Sequence, residues 1–395
     1  MPTINYRNRY ARRRRRALLR RPVILATATI LLVCLIALIV ASAVRRHQDA
    51  PVSAPVATPS PEIEDAPTVV PSPSPSASPD ASAEMSTGQT VAQRAATRPS
   101  ATAPGFLPVF RSANTEEKIA AITVDDCYQA NNLKQIVDKA IELGAKLTIF
   151  PIGENVLLER QSEILKYAWE NGFELENHTF THNGLYNCSD EVLAEEIYGQ
   201  QMALSQILNV EYQPHFLRPM GGDARHDQRI HKYIEQLGYY GVAHWSASGR
   251  ASDASLGKAL KPGAIFLFHT TDADLDKLLR FMPWVIAQGY QLVTLNEMFG
   301  YPANETSALT TSPTGRTPPP LQPYETAYVT LKKTTYSYLA YRVQEKLIAL
   351  GYLKGEPDGV FGEGSEAAVK AYQRDHGLKA TGEADAELLR ALLEA

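Results

Sequence analysis

An apolar stretch that ends in two adjacent carboxylates constrains the fold of this chain more than any other feature. Residues 122–127 have the sequence ITVDDC, in which the acids are Asp125 and Asp126. An apolar run of this kind is typical of a buried strand, and an unpaired charge at its end would be costly to bury. The acids therefore require a compensating group: a metal ion, an arginine or both. The nearest candidates are His178 and His182, about fifty residues further on.

Strand-like and helix-like patterns alternate from residue 118 to residue 300. Strands are predicted over 118–124, 147–150, 173–177, 215–217, 240–245, 264–268 and 291–295, with helices such as 155–171 and 191–208 between them. This alternation favours an α/β fold with a parallel sheet or barrel, in which the chemistry lies at the carboxyl ends of the strands. The polar residues at such ends are Asp125, His178, Arg218, His244 and His269.

The charge of the chain is strongly segregated, although the net charge is only -4. The first 46 residues contain eleven arginines and no acid, whereas the rest has the remaining 28 basic residues against 43 acidic ones. Binding of nucleic acid by the main body is excluded, because neutralising phosphates requires clustered Lys and Arg.

The N-terminal part predicts a membrane anchor. Residues 1–21 form a basic arm that the positive-inside rule places in the cytoplasm, and the uncharged run 22–44 is long enough for a transmembrane helix. The alternative is a cleaved signal peptide, with 41–43 (Ala-Ser-Ala) as the cleavage site. Residues 45–115 are rich in Pro, Ser and Ala and predict a disordered stalk.

The C-terminal part predicts a second folded unit. After a catalytic domain over 116–300, residues 301–325 form a linker that contains three consecutive prolines. Residues 326–395 then show three short helical patterns separated by turn residues, which favours a compact three-helix module.

The two histidines at i and i+4 have a spacing that suits one metal ion when they lie on a helical turn. Alone this pair is weak evidence, but with a buried acid pair it becomes much stronger. Two histidines and one carboxylate leave positions open for water and substrate, as in catalytic sites. The second acid is then available as a general base, kept ionised by Arg218, and His269 can donate a proton. The competing interpretations are a surface arginine and a satisfied core histidine.

Residues 118–300 resemble the NodB-like polysaccharide deacetylases of carbohydrate esterase family four. The five ordered motifs of that family correspond here to residues 123–127 (TVDDC), 178–182 (HTFTH), 218–222 (RPMGG), 244–246 (HWS) and 267–269 (LFH). The resemblance implies a distorted (β/α) barrel of about seven strands. It also implies hydrolysis of acetyl groups on a sugar polymer.

The same resemblance assigns roles to individual residues. The implied ligands of a divalent metal, most often Zn²⁺, are Asp126, His178 and His182. The implied catalytic residues are Asp125 as general base, His269 as general acid and Arg218, which orients Asp125. The implied substrate-binding residues are Leu267 for the acetyl methyl group, Trp245 in the groove and Gly221 for the oxyanion N–H.

The chain departs from the family pattern at three places. Met220 and Gly221 replace the usual proline and aromatic residue. The Asp expected in the fourth motif is missing, with Asp223 or Asp253 as candidate substitutes. Cys127 replaces a glycine, and we hypothesise a disulfide between Cys127 and Cys188 in an oxidising compartment; two buried free thiols are the alternative.

Residues 340–393 resemble the bacterial three-helix peptidoglycan-binding domain, through segments such as 350–353 (LGYL), 358–362 (DGVFG) and 367–373 (AAVKAYQ). The expected partners are cell-wall glycan or peptidoglycan and the membrane. The expected protein is a bacterial single-pass membrane protein with both folded domains outside the cell membrane, which deacetylates peptidoglycan. The alternatives are another acetylated glycan, such as chitin or xylan, and a wall-binding tether without activity.

Overall fold

The computed structural model describes residues 91–101 and 103–394. The predicted basic arm, the predicted transmembrane helix and most of the predicted stalk lie outside this range. Within the described ranges, no helix is both long enough and apolar enough to cross a membrane.

Short strands and longer helices alternate through the described part of the chain, as the sequence predicts. The strands are β1 (Val109–Phe110), β2 (Ile119–Asp126), β3 (Thr148–Pro151), β4 (Glu174–Leu175), β5 (Glu211–Tyr212), β6 (Phe216–Leu217), β7 (Gly241–Ala243), β8 (Ala247–Ser248), β9 (Ala264–His269), β10 (Gln291–Leu292), β11 (Thr306–Ser307), β12 (Thr335–Tyr336) and β13 (Val360–Phe361). The helices are α1 (Val91–Ala95), α2 (Ala130–Glu142), α3 (Gly153–Val156), α4 (Glu159–Glu170), α5 (Asp190–Leu208), α6 (Gln228–Gln236), α7 (Asp253–Ala259), α8 (Asp272–Ala287), α9 (Leu295–Phe299), α10 (Tyr338–Ala349), α11 (Glu363–Asp375) and α12 (Ala386–Leu393). A 3₁₀ segment, Met220–His226, precedes α6.

The strands around the site form two parallel sheets. The larger has the order β4-β3-β2-β9-β8, with β10 also paired to β2, and the smaller has the order β1-β7-β6. Single bridges link the two sheets, one between Asn177 and Leu217 and one between Ser112 and Ala264. The α/β fold with parallel strands is therefore confirmed, whereas a closed barrel of about seven strands stays a prediction.

Strand β2 lies at the centre of the larger sheet and is buried on both faces, as its apolar sequence predicts. Ala120, Ile122 and Val124 pack with α2 and α8 in one core cluster, while Ile119 and Ala121 pack in a second cluster on the opposite face. Because all the neighbours of β2 run parallel to it, their carboxyl ends meet at one edge of the sheet.

The predicted stalk boundary at residue 115 is wrong. Strand β1 lies inside the predicted stalk, yet it pairs with β7 in the smaller sheet. Arg94 also donates to the Glu117 carboxylate through Nε at 3.1 Å and Nη2 at 2.6 Å. The described residues before 116 therefore belong to the folded domain, because long-range strand pairing offsets their Pro-rich and Ala-rich composition.

The predicted linker, 301–325, is held along the surface of the catalytic domain. Strand β11 pairs with β5, Arg316 forms two hydrogen bonds with Glu211 at 2.6 and 2.7 Å, and the Tyr233 hydroxyl donates to the Pro319 carbonyl at 2.8 Å. The C-terminal module contains the three predicted helices, α10, α11 and α12, around a small apolar core of its own. Strands β12 and β13, on either side of α10, form a short antiparallel pair.

Candidate metal centre and catalytic residues

The fold brings the predicted site residues to one edge of the sheet. Asp125 and Asp126 end β2, and Asp125 lies in register with His269 at the end of β9. His178 and Arg218 each follow one partner of the Asn177–Leu217 bridge. The carboxyl ends of parallel strands therefore position residues that are up to 144 positions apart in the sequence.

Asp126, His178 and His182 form a cluster that fits one metal ion. Their potential ligand atoms all lie within 4.8 Å of one another, and the Nε2 atoms of His178 and His182 are 3.2 and 3.4 Å from Asp126 Oδ1. A tetrahedral cation with bonds of about 2.0–2.1 Å holds neighbouring ligand atoms about 3.3 Å apart. Asp126 Oδ1 is also buried with no hydrogen-bond partner among the described residues, as expected for an atom that binds a cation.

The protonation of the cluster also suits a cation. Burial raises the pKa of Asp126. The nearby imidazoles of His178, His182 and His269 together lower this pKa by a larger amount, so that it lies below its usual value. Burial, together with the neighbouring His178, lowers the pKa of His182. An ionised carboxylate and a neutral imidazole are the forms that bind metal.

The loop that carries the two histidines is not the predicted helical turn. Thr179 and His182 have φ values of 64° and 60°, in the left-handed region that non-glycine residues seldom adopt. His178 Nδ1 is hydrogen-bonded to the Arg218 carbonyl, which directs Nε2 toward Asp126. The i, i+4 spacing thus brings both rings to Asp126 through a strained loop.

Glu196 of α5 holds this loop in place, a role that the sequence did not predict. Its buried carboxylate accepts the backbone N–H groups of Phe180 and Thr181 at 3.1 and 2.8 Å, and also the Thr181 hydroxyl. A lone acid on a helix has no local sequence signal for such a role, because its partners lie some fifteen residues away.

Left-handed backbone conformation also occurs where β2 ends. Asp126 and Cys127 have φ values of 69° and 63°. The amide of Asn155 donates to the Asp126 carbonyl at 2.8 Å, and the Ile152 N–H donates to the same oxygen at 3.3 Å. Such strain costs on the order of 1–3 kcal/mol per residue and persists where the surroundings over-determine it.

Arg218 is fully buried and pairs with Asp125. Its Nη1 lies 2.7 Å from Asp125 Oδ1, in a site where both side chains are almost completely inaccessible. The guanidinium also donates to Thr123 Oγ1 at 2.7 Å and to the His244 carbonyl at 3.1 Å, and it lies over the Phe150 ring at 4.1 Å. A buried cation with these partners compensates the charge of the carboxylate and fixes its direction.

His269 is paired with Asp274, a partner that the sequence did not predict. Asp274 Oδ2 accepts one hydrogen bond from the His269 ring Nδ1 at 2.9 Å and another from the His269 backbone N–H at 2.8 Å. This hydrogen bond raises the pKa of His269 above its usual value, against the opposing effect of burial. The sequence signal that could have indicated Asp274 is the Thr-x-x-Asp pattern at 271–274. This pattern is typical of a helix start, and Thr271 caps α8 by accepting a hydrogen bond from the Asp274 N–H.

The two acids suggested earlier do not fill this role as far as the structure describes them. Asp253 lies on the surface, 3.6 Å from Arg280, and the side chain of Asp223 is outside the described part. The acid that pairs with His269 therefore follows the fifth motif and does not lie near the fourth.

The predicted substrate-binding residues lie in different settings. Leu267 is buried in β9, beside Thr123 of β2. The Trp245 ring stacks on His244 at 4.2 Å and lies 5.7 Å from the Arg218 guanidinium. Gly221 is exposed in the 3₁₀ segment with φ 65°, next to Gly222, where a Cβ atom would lie 2.9 Å from His244 Nε2.

The hypothesised disulfide is not formed. Cys127 and Cys188 are both free thiols. Cys127 is fully buried in the core cluster around β2, whereas Cys188 packs against a different cluster beneath α5 and α6. Burial raises the pKa of Cys188 to about 11 and that of Cys127 well above its usual value, so both thiols stay protonated.

Two segments match known families. Residues 112–242 match the family model of polysaccharide deacetylases, and residues 340–392 match that of a peptidoglycan binding domain. The first segment contains all the site residues described above up to Arg218 and ends before His269. The chain therefore carries a polysaccharide deacetylase domain and a peptidoglycan-binding domain.

Individual relatives cover about half of the chain. A peptidoglycan-N-acetylglucosamine deacetylase of Bacillus cereus is 29% identical over 198 residues, which are 47% of this chain and 90% of the relative. The solved Bc1960 peptidoglycan N-acetylglucosamine deacetylase has a TM-score of 0.44 at 24% identity, covering 49% of this chain and 94% of its own. A mutant of BA3943, a CE4 family pseudoenzyme with restored enzymatic activity, has a TM-score of 0.43 at 20% identity, covering 48% and 71%.

Proposed function

We propose that this protein is a metal-dependent hydrolase that removes N-acetyl groups from the sugars of peptidoglycan. The observation that carries the proposal is that two adjacent acids at the end of β2 have different partners. Asp126 faces two imidazole nitrogens at 3.2 and 3.4 Å, and Asp125 faces a buried arginine at 2.7 Å. One acid is thus placed to bind a cation and the other to accept a proton.

Asp126, His178 and His182 would hold the cation, for which we propose Zn²⁺ because two imidazoles and one carboxylate form a typical catalytic zinc set. When bound, the metal supplies Lewis-acid polarisation of the acetyl carbonyl and lowers the pKa of water. His178 is prepared as a ligand by its Nδ1 contact with the Arg218 carbonyl, which leaves Nε2 for the cation.

Asp125 acts as the general base in this proposal. It lies 3.7 Å from His178 Nε2, close enough to the metal ligands to take a proton from the attacking water. Arg218 pairs with Asp125 and holds it in one orientation, because the guanidinium is itself fixed by Thr123 and by a backbone carbonyl.

His269 acts as the general acid, and Asp274 is its positioning residue. The bond from Nδ1 to Asp274 leaves Nε2 to donate a proton to the departing amine nitrogen. Leu267 would line the space for the acetyl methyl group, and Trp245 would contact the sugar chain. We assign the backbone N–H group that would stabilise the oxyanion to the segment that begins at Gly221.

The C-terminal peptidoglycan-binding domain makes the wall polymer the favoured substrate, and the name of the Bacillus cereus relative supports the same substrate. With the predicted anchor over 22–44, the protein would be a single-pass membrane protein of a bacterium with both domains outside the cell membrane. Chitin-like or xylan-like acetylated glycans remain as alternative substrates.

A second candidate function is a wall-binding tether without activity, which the altered third motif at Met220 and Gly221 favours. The retained Asp125–Arg218 and His269–Asp274 pairs oppose it, because burying Arg218 and Asp125 is costly for a chain that gains no chemistry from them.

The decisive measurement is release of acetate from N-acetylated peptidoglycan by the protein, with and without a chelator. We expect activity that the chelator abolishes and Zn²⁺ restores, and a loss of at least about 100-fold in Asp125→Asn. Unimpaired activity in Asp125→Asn would contradict the base assignment. A lack of acetate release from every acetylated glycan, with Zn²⁺ present and wall binding intact, would favour the tether.

A further inference from the structure

The C-terminal module contacts two loops, one that follows the second sequence motif and one that contains most of the third. The first loop, residues 183–189, directly follows the metal ligand His182. The second contains the 3₁₀ segment Met220–His226 and ends at Asp227, the N-cap of α6. Both loops begin at the site and end beneath the β12–α10 corner of the module, so we call this contact region the junction.

Arg229 connects the parts of the junction. It is 4% exposed and donates to the backbone carbonyls of Cys188 at 2.8 Å and Leu185 at 3.3 Å, which lie in the first loop. It also forms ion pairs with Asp190 at 3.0 Å and with Asp227 at 3.2 Å. One guanidinium thus fixes the ends of both loops.

The module covers this arginine. The Tyr338 ring, at the start of α10, lies 3.5 Å from the Arg229 guanidinium carbon. Gly359, with φ 74°, packs so closely on Tyr186 of the first loop that a Cβ atom would lie 2.3 Å from the ring. A module that merely trailed from a flexible tether would not bury an Arg–Asp pair, because desolvating the charges requires well-defined partners.

The linker reinforces the same arrangement. Gln228 uses both ends of its amide: it donates to the Glu325 carbonyl at 3.0 Å and accepts the Ala327 N–H at 2.6 Å. Gln236, at the other end of α6, bonds to the linker at Pro320 and Gln322. Helix α6 therefore fixes the path of the chain into the module.

We infer that the module is a structural part of the deacetylase and that Arg229 and Tyr338 are positioning residues for the loop that follows His182 and for the third-motif loop. The activity measurement that tests this inference rests on the proposed function. The metal-binding measurement does not depend on that function. It predicts that the module affects turnover of substrates too short to reach it, whereas a passive wall anchor would affect only binding to the polymer.

The test compares full-length Tyr338→Ala, Tyr338→Phe and Tyr336→Ala. Tyr336 is the matched control, since it lies two residues away in the same segment and is 41% exposed. The measurements are Zn²⁺ affinity by chelator competition, and kcat and KM on a soluble N-acetylglucosamine tetramer. We expect Tyr338→Ala to weaken Zn²⁺ binding and lower kcat by roughly 3- to 10-fold, below the 10–100-fold typical of groups that contact ligands directly, with KM nearly unchanged.

Tyr338→Phe keeps the ring over Arg229 and should therefore have the Zn²⁺ affinity and kcat of the wild type. Tyr336→Ala should also match the wild type. Arg229→Lys keeps the charge but loses the fork that reaches both loops, so it should resemble Tyr338→Ala. Amide hydrogen exchange in residues 183–189 and 220–227 should rise in the two impaired variants while the melting temperature stays close to that of the wild type.

Unchanged kcat, Zn²⁺ affinity and loop exchange in Tyr338→Ala would overturn the inference and make the module a passive anchor. If the wild type releases no acetate, the proposed function fails, but the Zn²⁺ and exchange measurements still decide the inference. If Tyr338→Ala does not fold, the same comparison between Tyr338→Phe, Arg229→Lys and the wild type decides it.

Discussion

The two sides of the site are built in different ways. On the metal side, Asp126, Thr179 and His182 adopt left-handed backbone conformations, and buried polar groups such as Glu196 and Arg218 hold them there. On the acid side, His269 ends a regular strand and Asp274 lies in the first turn of a normally capped helix. The first side depends on long-range contacts, whereas the second is built within six consecutive residues.

This difference indicates where the site tolerates change. Strained residues keep their conformation only while their surroundings force it, so damage to any partner should disturb the metal side. The acid side should respond mainly to changes in its own two residues.

His178→Ala and His269→Ala should both reduce activity but should differ in metal content. Loss of a ligand should remove the cation and cost at least about 10³-fold in kcat, while loss of the acid should cost about 10²- to 10⁴-fold with the cation retained. Elemental analysis of the purified variants beside acetate release distinguishes the two. Equal metal content in both variants would contradict the division into two sides.

Arg218→Met should lower the free energy of unfolding by about 3–5 kcal/mol, because it leaves Asp125 buried without a partner. The matched control is Arg280→Met, which removes a pair with Asp253 in which both side chains are about two-thirds exposed and should cost less than about 1 kcal/mol. Urea denaturation measures both. Similar losses in the two variants would show that the Asp125–Arg218 pair is not the buried support that we describe.

Asp274→Asn should shift the alkaline limb of the pH–kcat profile to lower pH. Asp274 raises the pKa of His269, so its neutralisation lowers that pKa, and the imidazolium that donates the proton persists over a narrower pH range. Activity above the wild-type optimum should fall by roughly tenfold, with metal content unchanged. Asp253→Asn is the control and should leave the profile in place; a shift there, or none in Asp274→Asn, would reject the pairing.

Cys127→Gly should be more stable than Cys127→Ala by about 1 kcal/mol, because residue 127 has φ 63° and a Cβ atom is unfavourable there. At ordinary positions the order is reversed, since alanine is favoured by about 0.4–1 kcal/mol. Ala168→Gly in α4 provides that ordinary case and should lose stability. Thermal unfolding of the three variants checks the order, and an alanine variant at 127 that is the more stable would exclude backbone strain at this position.

The sequence was most informative where a signal is local. The apolar run before Asp125 predicted a buried strand, the strand–helix alternation predicted parallel strands, and helical spacing predicted the three helices of the C-terminal module. Each signal depends on side-chain periodicity within about a dozen residues, which one sequence displays directly. The ordered motifs then identified the metal cluster, because residues at the carboxyl ends of neighbouring parallel strands must meet.

Long-range contacts account for what the sequence did not predict. Glu196 and Asp274 have their roles only because the fold places them against the site loops. The folded part of the predicted stalk depends on β1 finding β7, more than a hundred residues away. The hypothesised disulfide failed for a related reason, since proximity to two motifs does not place two sulfur atoms in one core cluster.

By itself, the sequence determined which acids, histidines and arginine form the site, because strand ends and motif order restrict them to one edge of the sheet. Only the tertiary structure decided how they are supported: the left-handed turns at Asp126 and His182, the partner of His269, and the junction at Arg229. These features depend on the energy of burying strained or charged groups among partners distant in the chain. No local pattern encodes that energy.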